Sequence, residues 1–73
     1  MTPKHHAAHD AQVAATAELY ALADTLHRRA LGLNTAAIRH ASAGEWDEAE
    51  KAMNAARATQ ATADALTAEA DAS

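Results

Sequence analysis

HASAGEWDEAEKAM, residues 40–53, separates two long alanine-rich runs. It holds the only tryptophan and one of the two glycines. No proline follows Pro3, and Gly32 is the only glycine before the break at Gly44. Alanine is the best helix former, so both flanking runs read as helix. No alternating apolar pattern supports a strand. The quoted stretch is therefore the reversal of a helical hairpin. Gly44 can end the first helix in a left-handed conformation. Alternatively, Ser42 and Glu45 form a capping box, with Ser42 capping and Glu45 reaching back. Both drawings put the turn at residues 42–45. Glu45, Asp47 and Glu48 then sit at the positive end of helix 2, where acidic side chains are favoured. Trp46 is expected to reach back over the last turn of helix 1, near Ile38 and Ala41, and to cover that end of the hairpin.

The rest of the chain fits this frame. Thr2-Pro3 reads as an N-cap and first helical residue. The expected organisation is a single all-α domain over residues 1–73. Helix 1 covers about 3–41 and helix 2 about 45–70, with fraying at 1–9 and 71–73. Helix 1 carries two apolar stripes. One is Leu19, Leu22, Leu26, Ala30, Leu33 and Ala37; the other is Val13, Tyr20, His27, Leu31 and Ile38. Together they span about half of the helix surface, more than one partner helix covers. Helix 2 shows one narrower seam: Trp46, Ala49, Met53, Ala56, Gln60, Ala63 and Thr67. Folding at residue 44 pairs helix 2 with roughly residues 17–42 and leaves the start of helix 1 overhanging. A homodimeric four-helix bundle would cover the remaining face.

Composition points the same way. Apolar residues make up 49% of the chain, but roughly two-thirds of them are alanine. A chain of 73 residues with so few large side chains is short of core. Small scaffolds offset that shortage with disulfides, metals or partners. Cysteine is absent, which excludes disulfides and thiolate metal sites. A partner chain is the remaining solution. The formal charge of −4 argues against nucleic acid and anionic membrane as primary partners. Lys4, Arg28, Arg29 and Arg39 against Asp10, Glu18 and Asp24 leave residues 1–44 at +1, while residues 45–73 stand at −5. All five histidines lie in the first half. No apolar run reaches membrane-spanning length and no signal peptide is visible, so a cytoplasmic location is expected. The alanine, threonine and aspartate richness suits a GC-rich bacterial genome.

The turn resembles that of a tetratricopeptide repeat. The motif's large, small, glycine, aromatic, small, large and small places fall on Leu33, Ala37, Gly44, Trp46, Ala49, Met53 and Ala56. Ala36 and His40 depart from it. The likeness covers about residues 33–56, one repeat, with no second copy. It implies a helical hairpin and protein–protein interaction, and no peptide-binding residues carry over. The hairpin is also similar to small type VII secretion substrates of the WXG family, with the bend motif reversed as Gly44-Glu45-Trp46. Their tail motif has a counterpart only in Tyr20…Asp24, inside helix 1. That likeness implies export with a distinct partner.

Few residues suggest chemistry. His5 and His9 share a face at i,i+4, a spacing that can chelate zinc, nickel or copper. Asp24 and His27 have the i,i+3 carboxylate–histidine spacing of di-iron bundles, though no further inward Glu supports it. Asp24 also faces Arg28 at i,i+4. His27 and His40 lie in the apolar arc, where a histidine usually packs and makes one hydrogen bond. No nucleophile constellation and no phosphate loop is present. The expectation is a non-enzymatic interaction or assembly module without cofactor: an adaptor, regulator or accessory subunit. Its anchors would be Leu19, Leu22, Leu26, Leu31, Leu33 and Ile38, with Trp46 and Met53 from helix 2. Its partner is a second copy or a heterologous helical protein. A metal-binding bundle and a secreted hairpin are the alternatives.

Overall fold

In the computed structural model the backbone is described from Pro3 to Ser73 and side chains from Ala8 onward. Two helices form an antiparallel hairpin: α1 spans Pro3–Ser42 and α2 spans Trp46–Asp71. The particle measures 65 × 14 × 12 Å, its length set by α1.

The turn takes the first of the two drawings. Gly44 has φ +78. Its N–H donates to the Ala41 carbonyl at 3.0 Å, and the Glu45 N–H donates to the His40 carbonyl at 2.8 Å. These are the paired bonds of a Schellman motif, which satisfy the last carbonyls of α1. The capping box does not form: Glu45 is the N-cap residue of α2 and makes no side-chain capping bond. Its carboxylate turns back instead, 3.1 Å from His40 Nδ1. The polar pair occupies the place where this motif often carries an apolar contact.

The seam between the helices repeats every seven residues. On α1 the buried residues are Ala23, Ala30 and Ala37; on α2 they are Ala49, Ala56, Ala63 and Ala70. No larger side chain is fully buried among the described residues. A second row is half-buried: Leu19, Leu26, Leu33 and His40 on α1, and Ala52, Thr59 and Leu66 on α2, while half-buried Thr16 continues the alanine row of α1. These alternating steps of three and four make a heptad seam. Alanine in its central row lets the two backbones approach closely, and leucine fills the edge. Threonines elsewhere on the helices are accommodated by bonding back to carbonyls four residues earlier, as Thr25, Thr35 and Thr62 do.

This seam differs from the expected one on helix 2. Trp46 is 69% exposed and Met53 is 44% exposed. Both lie beside the seam, whose true large member is Leu66. A tryptophan or methionine in the central row would hold the alanine-lined backbones apart. Trp46 therefore does not cover the end of the hairpin. Residues 8–15 of α1 are exposed and extend past the end of α2, in line with the expected overhang.

Candidate interaction surface

Counted from the alanine row, each helix has two flanks. Positions four after a buried alanine on α1 are His27, Asn34 and Ala41, and on α2 Met53, Gln60 and Thr67. Trp46 and Tyr20 fall on the same flank by the seven-residue repeat. In an antiparallel pair these flanks face one another. The contacts agree. The His27 ring stands against Gln60, Nδ1 to Oε1 at 2.8 Å. Gln60 in turn donates to Asp64 at 2.9 Å. The Tyr20 hydroxyl donates to the Asp71 carboxylate. That bond holds the end of α2 against α1 and raises the Tyr20 pKa above its ordinary value of 10.0, helped by a little desolvation and by the carboxylate charge.

The exposed large apolar side chains gather on this flank. Seven are exposed: Val13, Tyr20, Leu22, Leu31, Ile38, Trp46 and Met53. Six of them share the flank or the position next to it; only Leu22 lies on the opposite one. Near the turn, Ile38, Trp46 and Met53 border an open groove of about 720 Å³ floored by Ala37, Ala41 and Ala49. Asn34, Glu50, Asn54 and Arg57 complete its rim. Ile38 is 67% exposed, as open to solvent as the tryptophan beside it.

The eight anticipated anchors thus divide three ways. Leu19, Leu26 and Leu33 are half-buried in the intramolecular seam. Leu22, 49% exposed, stands apart on the other side. Ile38, Trp46 and Met53 line one groove, and Leu31 lies seven residues before Ile38 on the same flank. The groove's polar rim, Asn34, Glu50, Asn54 and Arg57, is not among the anchors expected from the sequence. Its signal lies in the second row of three-and-four spacing, one step round each helix from the alanines.

The candidate metal ligands are not brought together. The side chain of His5 lies outside the described residues. His9 is exposed on the overhang. Asp24 pairs with Arg28 at 2.5 Å, and His27 faces Gln60. Among the described residues no group of three or more His, Cys, Asp or Glu is placed to hold a metal ion. None of the described helices is long and apolar enough to cross a membrane. The chain matches no protein family, no curated protein and no solved structure.

Proposed function

We propose that this hairpin is a non-enzymatic protein–protein interaction module, an adaptor or accessory subunit, working through the Leu31–Ile38–Trp46–Met53 surface. One observation carries the reading. Six large apolar side chains are exposed on or next to one flank, while the fully buried row is alanine throughout. Isolated large apolar residues on a surface are ordinary, but a contiguous patch marks a contact site. Stability has the same implication. Helices of this kind draw most of their stability from packing an apolar face, and here much of that face is unpacked. The tetratricopeptide-like spacing from Leu33 to Ala56 is consistent with an interaction role.

The test is helicity by circular dichroism against concentration, with absolute mass by light scattering. The expected result is a chain that is under-helical when dilute and gains helix when a partner covers the surface. The double variant Ile38→Asp, Met53→Asp should lose that gain. A wild-type chain that is fully helical and monomeric at every concentration would overturn the reading, because its surface would need no cover.

A further inference from the structure

On the reading that this surface is an interaction face, we infer that its occupant is a second copy of the chain, docked antiparallel about a two-fold axis level with Asn34 and Met53. The argument rests on register. His27 stands opposite Gln60 in the hairpin. Seven residues further along α1 and seven back along α2, Asn34 stands opposite Met53, and both line the groove. On α1, Leu31 and Ile38 lie about equally far on either side of Asn34. On α2, Glu50 and Arg57 lie in the same way on either side of Met53. One axis therefore serves both helices.

Rotation about that axis lays each helix over its own copy. Leu31 meets the partner's Ile38, and Ile38 the partner's Leu31. Glu50 meets the partner's Arg57, and Arg57 the partner's Glu50. The Leu31 and Ile38 pair thus meets apolar groups and the Glu50 and Arg57 pair meets opposite charges, as an isologous interface favours. The layering matches that inside the hairpin, where Ala30 and Ala56 lie at one level. The two charges are unoccupied in the single hairpin: among the described residues neither Glu50 nor Arg57 has an ion pair. Trp46 falls against the partner's Gln60, which buries an indole that is 69% exposed in the single chain. Asn34 meets its own copy on the axis, the kind of lone polar layer that fixes register in helical assemblies.

The other two-fold arrangement lays α1 over the partner's α2. It would set Leu31 near the partner's Arg57 and Ile38 near the partner's Glu50. Apolar groups would cover charges, so complementarity selects the first arrangement. The overlap runs over about 15 residues of each helix, ~22 Å. Such a contact lies at the small end of specific interfaces, so the dimer should dissociate on dilution.

The experiment uses two charge reversals, E50R and R57E, both at exposed helical positions. Each alone sets like charges against each other twice per dimer. Each should weaken self-association about tenfold or more, with helicity at high concentration as the folding control. Mixed in equal amounts, the two variants should pair with each other at near wild-type affinity, because both contacts are again opposite in sign. The Asn34→Cys variant should be linked to its own copy by a short thiol crosslinker, while the Thr62→Cys variant, altered on the opposite flank, should not. A mixture no tighter than either charge variant alone would overturn the inference. So would crosslinking of the Thr62→Cys variant in place of the Asn34→Cys variant. A wild-type chain that stays under-helical and monomeric at all concentrations would overturn the second-copy inference while leaving an interaction face for a different protein. A fully helical monomer would overturn both.

Discussion

The two glycines show how one residue type serves opposite ends. Gly44 sits at φ +78, where any L side chain is strained, although a Cβ there would meet nothing within 4 Å. Gly44→Ala should therefore lower stability by about 1–2 kcal/mol through backbone conformation alone. Gly32 lies in the exposed interior of α1, and an added methyl group there would also meet open space. Gly32→Ala should stabilise by about 0.5–1 kcal/mol by reducing the freedom of the unfolded chain. Paired thermal melts check both, and equal shifts of one sign would refute the account of the turn. Tyr20 offers a second test, since it is the only tyrosine and its phenolate absorbance can be followed directly. Its hydroxyl donates to Asp71, so the neutral form is favoured and the folded pKa lies above the unfolded one. The stabilising contribution is complete below the unfolded value of about 10 and is lost as pH rises through the folded value. Asp71→Asn should move the titration back toward the ordinary value. An unchanged titration would mean that the contact does not hold in solution.

At the level of the helices, the decisive feature is the row of alanines. Ala56 is 2% exposed and belongs to the buried alanine row of the seam. Ala56→Leu should force the helices apart and cost about 1–3 kcal/mol or more. Ala58→Leu, on the exposed side of the same helix, should be nearly neutral. Urea denaturation of the two variants makes the comparison, and similar midpoints would contradict the close-packed seam. The hairpin itself is legible in the sequence, because Gly44 and the lack of other breakers leave one place to turn. The choice of seam is harder to read. Hydrophobic scale favours Trp46 and Met53 as core, yet antiparallel helices meet most closely through their smallest residues. The seven-residue spacing of Ala49, Ala56, Ala63 and Ala70 is plain in the sequence, but side-chain size outweighs it in any ranking by hydrophobicity. Leu22 misleads for a related reason. It continues the spacing of Leu19 and Leu26, but it immediately precedes Ala23 and so projects about 100° round the helix from the buried row.

For the whole molecule, the question is where the missing core lies. A hairpin whose buried row is alanine has little reserve against unfolding. Docking a second copy over Ile38, Trp46 and Met53 would supply the large apolar contacts that the single chain lacks. Folding and association would then be one equilibrium, and stability would depend on concentration. Each tenfold rise in concentration adds about 1.4 kcal/mol per dimer. For an assembly of two such chains that corresponds to about 3–6 °C in Tm. The wild-type Tm should climb by that step with each tenfold rise in concentration, and the E50R chain should melt lower at every concentration. Scanning calorimetry, followed by light scattering at the same concentrations, distinguishes the cases. A wild-type Tm independent of concentration would mean that alanine packing alone sustains the fold. The exposed flank would then owe its apolar character to something other than self-association.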